Sequence, residues 1–135
     1  MIINESRFVL WLCLAVAALA LPACTSLTAT VTQYVGAPQP PPTNPANVQI
    51  VRVEPTRPHD RLGEIVVDAS TDPPPPIADI ENRLRSEGGK LGADAVVVVL
   101  DRVQPVAAYV TGPWWGRSVQ TVDGRKVVGV AIKYR

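Results

Sequence analysis

Apolar residues are grouped along the chain in three ways, and each grouping predicts a different structure. The first is an unbroken run from Phe8 to Leu21, with Arg7 before it and Pro22-Ala23-Cys24 after it. Fourteen residues (8 to 21) fall short of the ~18–20 that a membrane-spanning helix needs. A short apolar core, a basic residue ahead of it and small residues behind it are the layout of a secretory signal peptide. The second grouping is helical. Ile77, Ile80, Leu84, Gly88 and Leu91 recur at spacings of 3, 4, 4 and 3, with Asp79, Glu81, Arg83, Arg85 and Glu87 mostly off that face. The third is strand-like, rich in β-branched residues.

Three stretches of the third kind flank the predicted helix closely. Val48 to Val53 ends at Pro55, Leu62 to Asp68 runs up to the Asp72-Pro-Pro-Pro-Pro76 block, and Val96-Val-Val-Val-Leu100 follows the helix. The last of these has no alternation and predicts a central strand covered on both faces. Beyond it, Val106–Thr111 and Arg117–Val122 read as strands, Asp123-Gly124 reads as a hairpin turn, and Val128, Val130, Ile132 and Tyr134 alternate along a closing strand. Gly92 stands where a left-handed residue would end the helix. The predicted order is β-β-α-β-β-β, an α+β fold with one amphipathic helix packed on a small, mostly antiparallel sheet.

Between signal and domain, residues 25–46 contain no charge and are rich in Thr, Ala and Pro, including Pro38-Gln-Pro-Pro-Pro42. Polyproline II at ~3.1 Å per residue would make this a tether of up to roughly 60–70 Å. The expected organisation is therefore a signal peptide over 1–23, a tether over 24–46 and a folded domain over 47–135.

Leu21, Ala23 and Cys24 resemble a bacterial lipobox, in which cleavage after the small residue frees a Cys that carries the acyl chains. The resemblance implies cleavage at Ala23, lipidation of Cys24 and, because Thr25 and not Asp follows, residence on the periplasmic face of the outer membrane. More than one acyl chain gives durable attachment. Cys13 would leave with the signal, so the domain would hold no disulfide.

Composition narrows the chemistry. The 135 residues carry 13 Lys+Arg against 12 Asp+Glu, with one His and two Cys. A net charge of +1 gives no electrostatic reason to expect nucleic acid. His59 and Asp60 have no companions at metal-ligand spacing, so His59 reads as a solvated loop residue and no metal or cofactor is expected. Glu64 and Asp68 share a strand face but lie ~13 Å apart at 3.3 Å per residue, too far for a catalytic carboxylate pair. No nucleophile elbow, P-loop or zincin motif occurs. The chain is read as not an enzyme.

Leu62-Gly-Glu-Ile65, then Leu84 ahead of Leu91-Gly-Ala-Asp-Ala-Val96, resembles the core of small bacterial envelope lipoproteins. These include the outer-membrane sensor lipoprotein of the Rcs phosphorelay and, more distantly, the YbjQ-like domains. The resemblance covers about residues 62–110 and implies a lipid-anchored module facing the periplasm that binds an envelope partner or senses envelope stress. The alternative is a structural envelope lipoprotein that oligomerises through free sheet edges. Within Gly112-Pro-Trp-Trp-Gly116, Trp114 and Trp115 are the candidate partner-binding residues, because two adjacent rings point in different directions and a strand-connecting tip leaves at least one exposed. The competing expectation is that both rings fold back over the aromatic-poor core, and Arg125 and Lys126 are read as a solvated hairpin end.

Overall fold

The computed structural model describes residues 27–135. Five strands and one helix follow one another as β1 (Thr28–Gln33), β2 (Gln49–Val51), β3 (His59–Asp68), α1 (Ile77–Lys90), β4 (Ala95–Thr111) and β5 (Ser118–Tyr134), with a short 3-10 turn at Pro45–Asn47. The strands form one sheet in the order β1-β3-β5-β4-β2. Every pairing is antiparallel except β2 with β4. The fold is α+β with one helix on a mostly antiparallel sheet. The strand order differs from the β-β-α-β-β-β expectation in two ways: a strand precedes Val48, and the three strands expected after the helix are two long ones.

The helical face predicted by spacing packs on the sheet through its middle, whereas Ile77 at the helix start is 39% exposed and Leu91 is half-buried. Ile80, Leu84 and Gly88 are buried with Leu62, Ile65 and Val67 of β3, Val96 of β4, and Val127 and Ala131 of β5. Fully burying side chains of this size contributes roughly 1.5–3 kcal/mol each. Gly88 lets the helix close on the sheet, since a Cβ there would lie 2.7 Å from Val96 Cγ2. Asp79 in the first turn and Lys90 in the last complement the helix dipole. Glu87, expected on the outer face, is buried, and its carboxylate is held by Arg83 at 3.2 Å and Lys90 at 2.9 Å.

The helix ends in a Schellman turn. Ala93 N–H donates to Gly88 O and Gly92 N–H to Gly89 O, both at 3.0 Å, with Gly92 at φ +77°. This turn is a docking platform for the segment expected to be a free tether. Thr43 N–H donates to Gly89 O (2.8 Å), Thr43 Oγ1 donates to Ala93 O (2.7 Å), and Pro40 and Pro41 lie against Gly92. Earlier still, β1 pairs with β3 from Thr28↔Asp68 to Gln33↔Gly63. The folded part thus starts about twenty residues before Asn47, and the long tether is corrected to a strand and a packed proline segment. Uncharged, proline-rich composition also suits an edge strand and a groove filler, because neither needs an alternating apolar pattern.

Strand β5, not β4, is central. On β4, Val96 faces the helix and Ala95 and Val97 are buried on the opposite face with Ile132, but Val99 is 58% exposed. The reason lies in the crossover. The chain from β2 to β3 must pass the second face of β4 and β5, and there Arg57 lies 4.6 Å over the Tyr134 ring and Arg135 N–H donates to Pro58 O. That strap covers only the first rungs of β4, so the expectation of cover along Val96–Leu100 fails past Val98.

Candidate functional site

Beyond the core, β4 and β5 continue together as a two-stranded arm. Their pairing runs from Ala95↔Ile132 to Thr111↔Ser118, with bulges at Val98/Leu100 and Pro105/Ala107. Asp123-Gly124, expected as the hairpin turn, lies inside β5 opposite Pro105 and Gln104. Glycine is required there by a close approach, since a Cβ would meet the Ser70 side chain and Val106 Cγ1. The real turn is the tip. Gly112 has φ +101°, Gly116 N–H donates to Pro113 O at 2.9 Å, and the Thr111 and Ser118 hydroxyls bond across the last rung at 2.9 Å.

Trp114 and Trp115 are the two central residues of this β-turn. Their rings meet edge to face at 5.5 Å and are 79% and 74% exposed. Neither folds back on the core. The sequence from Val103 to Val122 contains a single charged residue, Arg117, and Val103, Tyr109, Val110 and Val119 are also exposed along it. Soluble domains keep such apolar surface small unless something covers it. The arm therefore projects from the domain as a ribbon with one charged residue between Val103 and Val122 and an exposed aromatic head.

Charge is concentrated where the arm leaves the core. Arg125 Nε and Nη2 each donate to the Asp101 carboxylate at 2.7 Å, and Arg52, just after β2, joins at 3.3 Å while also reaching Glu81 of the helix. The Arg125 hydrogen bonds hold the Asp101 carboxyl below its usual range. Arg125 is thus a brace, and not part of a free hairpin end. Asp101→Asn should lower stability by about 1 kcal/mol, because a forked Arg–carboxylate pair at a partly covered site exceeds an ordinary surface pair. Thermal unfolding would register this as a fall of roughly 4 °C.

His59 is not solvated. It opens β3 with 12% of its side chain exposed, Nδ1 2.7 Å from Arg57 O and Nε2 3.3 Å from Glu54 Oε1, edge-on to Tyr134. Glu54 also receives Arg61 Nη2, and these two partners hold its carboxyl low; Arg135 does the same for Asp60. Glu54, Arg52 and Arg61 border a groove of about 300 Å³ floored by Val97–Val99 and Val130. Among the described residues no three metal-ligating side chains converge.

These lowered carboxylates set an acid limit. A group whose pKa is lower folded than unfolded adds stability above its unfolded value, and the gain disappears as pH falls through the folded value. The ordinary values are 4.5 for Glu54 and 3.8 for Asp60 and Asp101. The expected result is a melting temperature unaffected by these pairs between pH 7 and 5 and falling below about pH 4.5, with Asp101→Asn showing a shallower fall.

Of the residues singled out by sequence, Trp114 and Trp115 come together at the arm's tip, whereas Ala23, Cys24 and the signal segment 1–23 lie outside the described residues. The Asp101–Arg125–Arg52 brace was not legible, because its members are far apart in sequence and follow no motif. What the fold defines is a small α+β domain with a projecting β-arm. No protein-family model matches the chain, and no curated protein matches it. Among solved structures, the crystal structure of a Francisella virulence factor, FvfA, in its orthorhombic form aligns with a TM-score of 0.49 and 10% identity, over 78% of this chain and 97% of that one.

Proposed function

We propose that the protein is a lipid-anchored envelope lipoprotein, held by acylated Cys24 on the periplasmic face of the outer membrane, that acts as a non-enzymatic binding or sensing module. The observation that carries the binding part is the arm: a ribbon with a single charge, Arg117, between Val103 and Val122, ending in two exposed tryptophans, on a domain whose own core is complete without it. The lipobox resemblance of Leu21-Pro-Ala-Cys24 carries the anchor. The resemblance to the Rcs sensor lipoprotein adds envelope sensing as the expected role.

A second reading has one specific observation in its favour. Among the described residues the outer edges of the arm's two strands are unpaired above the core, so a second copy could add to them as a structural oligomer. Photocrosslinkers at Trp114 and Trp115 separate the two, since self-adducts alone favour the oligomer. The anchor is tested by metabolic labelling with a palmitate analogue. Wild type should be labelled and Cys24→Ser should not; an unlabelled wild type removes the lipoprotein premise.

A further inference from the structure

We infer that the tryptophan tip of the arm inserts into the interface of the same membrane that holds the acylated Cys24, so that the domain sits on the bilayer at two points. This rests on the lipid-anchor reading and adds to it the chemistry of the arm's partner, a phospholipid surface.

The sheet register carries the argument. Thr28, where β1 begins, is level with Asp68 of β3, Asp68 with Lys126 of β5, and Lys126 with Arg102 of β4. Past this rung β3 stops and β1 has not begun, while β4 and β5 run on to Thr111 and Ser118. The chain coming from Cys24 and the arm therefore leave the sheet by the same end. Leu27, which packs against the core, fixes the point of entry.

Two lengths then agree. Cys24 is three residues before Leu27, a reach of at most about 11 Å. From Arg102 to Thr111 the arm advances nine steps, or about 30 Å at ~3.4 Å per residue. Neighbouring strands rotate by roughly 20–25°, so the arm diverges from β1 by about 45–75° and advances about 10–20 Å along the direction of β1. On the lipid-anchor reading, the tip thus advances to a level that three residues extended from Leu27 can also reach. A domain on a tether of 60–70 Å would impose no such coincidence, but residues 28–47 are folded onto the domain.

The composition of the tip fits that level of a bilayer. Trp and Tyr concentrate at the headgroup boundary, where an apolar ring and a polar N–H or O–H are both satisfied. Trp114, Trp115 and Tyr109 are exposed, and Arg117, the lone charge on the arm between Val103 and Val122, is a cation placed beside the tip, as anionic phosphates require.

The chain has three tryptophans, and Trp11→Phe leaves Trp114 and Trp115 as the only reporters whether or not the signal is cleaved. This full-length chain, purified from membranes, would be reconstituted in phosphatidylethanolamine–phosphatidylglycerol vesicles with and without bromine near the headgroup end of the acyl chains. The expected result is at least a roughly twofold loss of emission in the brominated vesicles, as for indoles at the interface. Unquenched emission from palmitate-labelled, vesicle-bound protein overturns the inference and leaves the anchor standing. Absence of label overturns the anchor and, with it, this geometry. Blue-shifted but unquenched emission with a doubled mass assigns the tip to a second copy and also overturns it.

Discussion

Gly129→Val should destabilise the domain by about 3 kcal/mol or more, enough to leave much of the protein unfolded at growth temperature. Gly129 lies on central strand β5 beneath the helix, where a Cβ would come within 2.5 Å of Val96 Cγ1 and 3.3 Å of Leu84 Cδ2. Neither neighbour can retreat. Val96 is fully buried between β5 and α1, and Leu84 is 1% exposed in the same cluster. Relief would have to come from lifting the helix off the sheet, which exposes Ile80, Ile65 and Val67 together. Denaturant unfolding of the purified variant checks the size of the effect. Gly116→Ala is the control: a Cβ there meets nothing within 4 Å, so the change should be under about 0.5 kcal/mol.

Excising Val106–Thr121 and rejoining Pro105 to Val122 through Asn-Gly should do the reverse, leaving the fold intact while removing the contact function proposed for the arm. Residues 99–121 are exposed throughout, and the core clusters draw on neither Val106 nor anything beyond it as far as Val122. A two-stranded ribbon is only marginally stable by itself, so its loss should alter the unfolding free energy by about 1 kcal/mol or less. The amides tell the same story by another route. In the intact protein those of 127–132 should exchange near the global unfolding limit, and those of the arm many times faster. In cells, the shortened protein should keep wild-type abundance and Cys24-dependent attachment yet lose any adduct or response that depends on the arm. Unfolding on excision would mean that the arm stabilises the domain and is not an added contact element.

The agreement between sequence and structure is closest where one residue's environment follows from its neighbours in the chain. The spacing of Ile80, Leu84 and Gly88 marked the buried helix face, and Gly92 marked its end, because helix periodicity and a left-handed cap are local rules. Leu62 and Ile65 are buried and Gly63 sits under Thr32 O, so the Leu-Gly-Glu-Ile pattern serves packing. Disagreement appears where composition had to stand in for contacts. Asp123-Gly124 has the chemistry of a turn, yet Ser70 crosses at that point and needs a flat, side-chain-free strand. Glu87 has the chemistry of a solvated residue, yet two cations on its own helix let it be buried.

By itself, the sequence determined the class of the fold, the helix and its buried face, and the position of an aromatic-tipped loop. Those properties depend on periods of two and 3.6 residues and on the backbone limits of Gly and Pro, which are properties of neighbours. Only the tertiary structure decided that residues 28–47 belong to the domain, that β5 is central, that Arg125 braces Asp101, and that both tryptophans face outward at the end of an arm. The physical reason is that each depends on which distant segment fills a given space. A proline-rich stretch packs closely because Gly89 and Gly92 present no side chain to it, and the outer part of β4 stays bare because the β2–β3 strap ends its cover near Val98.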